Sequence, residues 1–89
     1  MSLIDDARKK INAIDEQMVR LFEERMAAVL DVLKYKKEHN LAVFDSKREE
    51  EIIKKNVELI ENKELKKYYL EFFNAILSVS KKYQEDNYE

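Results

Sequence analysis

The longest helical pattern in the chain is SLIDDARKKINAIDEQMVRLFEERMAAVLDVLKYKKE, residues 2–38. Apolar residues recur in it at the first and fourth positions of a seven-residue repeat, the spacing of one face of an α-helix. They are Ile4, Ala7, Ile11, Ile14, Met18, Leu21, Ala28, Val32 and Tyr35. Ser2 is suited to cap the N-terminus. We therefore expect one long first helix that ends at His39 and Asn40.

Composition favours a bundle of long helices. The 89 residues include no glycine, proline or cysteine. Few residues therefore mark turns, and disulfides and thiolate sites are excluded. With 17 basic and 19 acidic side chains, the net charge of -2 gives no general attraction to nucleic acid or to an anionic membrane. A single domain over 1–89 of this size is marginal alone, which favours a dimer.

Two more helices follow the first. A second is predicted over 46–61, because Ser46-Lys47-Arg48-Glu49 has the form of a capping box. A third is predicted over 63–85, with Asn62 before it as a cap. The segment 41–44 is apolar, but a lone strand would have nothing to pair with, so we interpret it as a connector. The predicted fold class is all-α, with three helices per chain.

A few charges interrupt the apolar pattern. Arg25 occupies the helical position that Ile4, Ile11, Met18 and Val32 occupy elsewhere. A guanidinium on an apolar stripe is costly unless something pairs with it. Arg8 and Lys36 share the neighbouring position of the repeat. On the third helix, Ser80 lies near the apolar stripe and Gln84 follows one turn later.

A pair of chains would bring the cations of the first helix together. Arg8 lies about 25 Å from Arg25 on a straight helix, and Arg25 about 16 Å from Lys36. A small ligand could reach Arg25 and Lys36 but not Arg8 of the same helix. If two such helices pair antiparallel about Arg20, Arg8 of one chain lies opposite residues 25–36 of the other. A twofold dimer then has two equivalent anion pockets.

Each of these residues also has a simpler structural interpretation. Arg25 could form an ion pair or snorkel to solvent, and Arg8 could be a surface arginine. The capping box by itself accounts for Glu49. Ser80 could be a small packing residue, and Gln84 a solvated one. Composition and spacing alone predict a helical bundle, a dimer and an anion site.

The motifs occur in a specific order. They are Ala7-Arg8-Lys9-Lys10-Ile11 with Ile14-Asp15, Glu24-Arg25, Lys34-Tyr35-Lys36, Asp45-Ser46-Lys47-Arg48-Glu49, and Ser80 with Gln84. As a set spanning nearly the whole chain, they resemble the all-helical, type II chorismate mutases. Ala42 departs from the pattern, since family members often have proline there. The resemblance implies an intertwined homodimer with antiparallel first helices and two active sites.

The resemblance also implies a catalytic set. Arg25 and the partner chain's Arg8 would hold the two carboxylates of chorismate, because a guanidinium binds carboxylates bidentately. Lys36 and Gln84 would donate hydrogen bonds to the ether oxygen. Neither a metal nor another cofactor is implied, since the Claisen rearrangement of chorismate to prephenate is intramolecular.

Further substrate contacts follow from the same resemblance. Glu49 would accept from the ring hydroxyl, with the backbone near Asp45 helping. Arg48 would orient this group and line the pocket, and Ser80 would hydrogen-bond a carboxylate. The enzyme would be a cytoplasmic isomerase of the shikimate pathway, in phenylalanine and tyrosine biosynthesis.

Two other functions fit parts of the sequence. Isochorismate-pyruvate lyase uses the same fold and the same carboxylate-binding cations. A non-catalytic helical dimerisation module would account for the stripes and caps, but not for Arg25 on the stripe. Binding to nucleic acid is disfavoured, because basic and acidic residues are interleaved.

Overall fold

The computed structural model describes residues 2–88; Met1 and Glu89, the two ends of the predicted domain, lie outside the described residues. This part of the chain is all-helical, as predicted. Helix α1 spans Leu3–Glu38, α2 spans Ser46–Glu58 and α3 spans Lys66–Asp86. Within 2–88, no helix combines the length and apolar character that crossing a membrane requires.

Helix α1 has a defined cap at each end, although the chain contains no glycine or proline. The Ser2 hydroxyl accepts a hydrogen bond of 3.2 Å from the Asp5 N–H. At the other end Asn40 is in the left-handed region, with φ 55°. The Leu41 N–H then donates to the Lys36 carbonyl at 2.8 Å. This is a Schellman-type ending, in which asparagine takes the position that glycine usually fills.

Helix α2 begins at Ser46, as predicted, but its N-cap is a different residue. Its N-cap is Asp45, whose Oδ1 accepts a hydrogen bond of 3.1 Å from the Arg48 N–H. Ser46 is the first helical residue, so it cannot form the predicted capping box with Glu49. Asp and Ser are equally good caps, and the sequence places them side by side. The carboxylate of Glu49 is therefore not needed to cap the helix.

The turn between α2 and α3 is longer than predicted. Helix α2 ends at Glu58, and a 3₁₀ turn over Lys63–Leu65 precedes α3. Asn62 starts this turn, because its Oδ1 accepts from the Glu64 N–H at 3.0 Å. The Leu65 N–H bonds to the Asn62 carbonyl at 2.9 Å, and this i→i+3 bond delays the start of α3 to Lys66.

The chain buries little of its apolar surface. Helix α3 packs against both α1 and α2. Among residues 2–88, the only buried apolar side chains are Leu33 and Phe73, which are 3% and 5% exposed. Residues 3–24 of α1 are exposed throughout, including Ile11 at 54% and Leu21 at 62%. The N-terminal half of α1 thus extends beyond the body formed by the other elements.

The observed cap of α2 can be tested by two matched substitutions. We expect Asp45→Ala to lower the free energy of unfolding by about 1 kcal/mol, because the Arg48 N–H loses its acceptor. Ser46→Ala should change it by less than about 0.5 kcal/mol. Denaturant unfolding at one protein concentration measures both. A larger loss for Ser46→Ala would restore the predicted capping box.

Candidate functional site

A pocket opens where the C-terminal half of α1, the connector, the start of α2 and the end of α3 meet. It is lined by seven of the eight side chains predicted from the sequence: Arg25, Lys36, Asp45, Arg48, Glu49, Ser80 and Gln84. The remaining lining is mainly apolar, from Val29, Val32, Val43, Ile52 and Leu77. Charged and polar groups thus converge on a site with apolar walls, which is the usual character of a small-molecule site.

Arg25 reaches across the pocket to α3. Its Nη1 donates a hydrogen bond to the Ser80 hydroxyl, which in turn donates to the Ile76 carbonyl at 2.8 Å. Ser80 is 5% exposed. Arg25 is therefore held on the apolar stripe by a neutral oxygen, and its positive charge is not cancelled there.

Lys36 is held by the connector in a similar way. Its Nζ donates to the Val43 carbonyl at 2.7 Å, and the side chain is half-buried. An ammonium has three donors. One contact with Val43 fixes the position of the amine and leaves donors for another acceptor.

The start of α2 contributes three pocket residues, which are the N-cap Asp45 and, in the first turns, Arg48 and Glu49. The Asp45 carboxylate bonds to the Arg48 N–H. Glu49 is half-buried and Arg48 is exposed. The Glu49 carboxylate, a hydrogen-bond acceptor, and the Arg48 cation are thus neighbours on the α2 side of the pocket.

Gln84 lies at the α3 side of the pocket. Its Oε1 is the one buried side-chain polar atom within 2–88 that has no hydrogen-bond partner. Leaving such an atom unpaired is costly. Water, a bound molecule or another chain could supply the donor that this oxygen accepts from.

Arg8 is absent from this pocket. It lies in the exposed N-terminal half of α1, about 25 Å along the helix from Arg25. One chain alone therefore assembles the site without it. Its predicted role depends on a second chain.

The lining is more positive than negative, and one of its cations was not predicted. Its two carboxylates belong to Asp45 and Glu49. Its four cations are Arg25, Lys36, Arg48 and Lys81. Among residues 2–88, no ion pair neutralises any of these four cations. The signal for Lys81 was helical spacing, since Leu77, Ser80, Lys81 and Gln84 follow an i, i+3, i+4, i+7 pattern. The arrangement suits a small anion.

Comparison with known proteins gives one match. The sequence model of the family described as chorismate mutase type II matches residues 7–85. No curated protein and no solved structure is significantly similar to the chain. Within 2–88, no three His, Cys, Asp or Glu side chains group in a way that could hold a metal ion.

The bridge from Arg25 to Ser80 should contribute to stability. We expect Ser80→Ala to lower the free energy of unfolding by about 1–3 kcal/mol, because a half-buried guanidinium loses its acceptor. Ser78→Ala is the matched control on the same helix, since Ser78 is exposed. Its effect should stay within about 0.5 kcal/mol. Equal effects in denaturant unfolding would mean that Arg25 is stabilised by other groups.

Proposed function

The chain belongs to the chorismate mutase type II family, and on this premise we propose that it catalyses the Claisen rearrangement of chorismate to prephenate. The observation that carries the proposal is the pocket. Residues far apart in sequence, from Arg25 to Gln84, line one site with uncancelled positive charge. Chorismate is a small dianion, opposite in charge to this lining.

The reaction suits such a pocket because it is unimolecular. One C–O bond breaks while one C–C bond forms, so the protein must select a compact conformer of the substrate. Arg25 and Arg8 would do so by holding the two carboxylates. The free energy of binding then compensates for the entropy that the substrate loses when it is fixed in this conformer. Ser80 already accepts from Arg25 and could also donate to a carboxylate after rotation of its hydroxyl.

Negative charge develops on the ether oxygen as its bond to carbon breaks. In the proposed mechanism Lys36 and the amide of Gln84 donate to this oxygen. A millionfold acceleration requires about 8 kcal/mol. Removing one preorganised donor typically costs about 3–4 kcal/mol in the transition state. The combined stabilisation from two donors and from conformer selection is therefore of the size that this acceleration requires.

We further propose that the active form is an intertwined homodimer that completes each pocket with Arg8 of the partner chain. The exposed stripe on residues 2–24 supports this, because isolated chains would leave it in water. Burying a large apolar side chain contributes about 1.5–3 kcal/mol. Ile11, Ile14, Met18 and Leu21 alone would then supply a substantial driving force for association.

Glu49 favours the mutase over isochorismate-pyruvate lyase. It lines the pocket and is not engaged in a capping box, so its carboxylate is available to accept from the ring hydroxyl of chorismate. Isochorismate carries that hydroxyl at a different carbon. Prephenate would then enter phenylalanine and tyrosine biosynthesis.

The reaction can be measured directly by the loss of chorismate absorbance. We expect the wild-type protein to form prephenate and Lys36→Ala to lose at least about a hundredfold in kcat, because a donor to the ether oxygen is lost. Folded wild-type protein without turnover would refute the mutase proposal. Pyruvate release from isochorismate in the same sample would then favour the lyase.

The shared pocket predicts complementation between inactive chains. Arg8→Ala and Lys36→Ala should each be inactive alone. A mixed dimer has one intact pocket, with Lys36 from the first variant and Arg8 from the second. Random exchange of equal amounts should therefore restore about a quarter of wild-type activity.

The control mixes Lys36→Ala with Arg25→Leu. Both residues belong to the same chain's share of the pocket, so no combination of these chains contains an intact site. We expect no recovery. Recovery in this control, or none in the first mixture, would contradict the donation of Arg8 by the partner.

A further inference from the structure

Lys81 is a pocket residue without a role in the mechanism above. It follows Ser80 on α3, lies one turn before Gln84, and is half-buried at the pocket wall. Its neighbour Lys82 is exposed and does not line the pocket. Of two adjacent lysines on one helix, the fold thus turns one toward the site and the other toward solvent.

The amine of Lys81 is placed on the connector. Its Nζ lies 4.2 Å from the centroid of the Phe44 ring, a cation–π contact. A charge-assisted hydrogen bond to a carboxylate is stronger than such a contact at a partly exposed site. The long, flexible side chain can move from the ring to an anion in the pocket.

We infer that Lys81 is a substrate-binding cation, which leaves Phe44 when the pocket fills and pairs with a carboxylate of the substrate. Without it, the three cations Arg25, Lys36 and Arg48 face two carboxylates. With it, this chain's share of the lining has four cations against two carboxylates, before Arg8 of the partner chain is counted, and so attracts a dicarboxylate more strongly. The inference rests on the proposed function, since it assigns Lys81 to the same reaction.

The test compares Lys81→Gln with Lys82→Gln in steady-state turnover of chorismate. We expect Lys81→Gln to raise KM about fivefold to tenfold while kcat stays within about twofold, because ground state and transition state lose the same contact. The KM of wild type should also rise more steeply with salt than that of Lys81→Gln. Lys82→Gln should match wild type. Equal KM values for the two variants would overturn the inference.

A third variant separates substrate binding from a merely structural role. If Lys81 served only to fasten the connector, Phe44→Leu would raise KM as much as Lys81→Gln. We expect Phe44→Leu to leave KM unchanged or lower it, and Lys81→Arg to restore most of the affinity. Matching increases for Phe44→Leu and Lys81→Gln would overturn the inference.

Calorimetric titration with prephenate distinguishes failure of the inference from failure of the proposed function. If the wild-type protein is active and the Lys81→Gln and Lys82→Gln variants bind prephenate equally well, the inference about Lys81 is overturned and the proposed function stands. An inactive wild type that binds prephenate more tightly than Lys81→Gln would overturn the reaction and support the binding role. Inactive protein with no prephenate binding would overturn both.

Discussion

Helix α1 is too long for its own chain to cover. It runs for about 54 Å, nearly the full 56 Å length of the molecule, whereas α3 is the helix that packs against it, near its C-terminal half. This mismatch divides the helix into two parts with different surroundings. The C-terminal part carries the small core around Leu33 and the pocket cations. The N-terminal part carries a full apolar stripe and Arg8, with nothing from the same chain against them.

The pocket keeps its charge because two of its cations are held by neutral oxygens. Arg25 rests on the Ser80 hydroxyl and Lys36 on the Val43 carbonyl. Carboxylate partners would fix the same side chains equally well, but they would have to be displaced before an anionic ligand could bind. Neutral partners orient the donors and leave the electrostatic attraction for the ligand.

Sequence reasoning succeeded where a long periodic pattern or a strong cap carried the signal. The heptad pattern and Ser2 predicted α1 to within a residue at each end. The start of α2 at Ser46 was confirmed, but the predicted N-cap was wrong, because Asp45 and Ser46 are neighbouring caps of equal strength and sequence alone gives no way to rank them. Lys81 was missed because a lysine beside another lysine looks like an ordinary solvated face. The position of Arg8 in the partner's pocket stays a prediction. Periodicity locates Arg8 on a helix, but a single chain does not contain the groups that it would face.

The division of α1 has a consequence for how such a protein tolerates change. In the proposed dimer a twofold axis repeats every substitution, so one altered codon in residues 2–24 modifies the interface twice. Folding, association and turnover would share one equilibrium, and the fraction of competent sites would follow the amount of chain in the cell. Activity would then rise more than proportionally with gene dosage. Higher expression would compensate for substitutions that weaken the interface slightly.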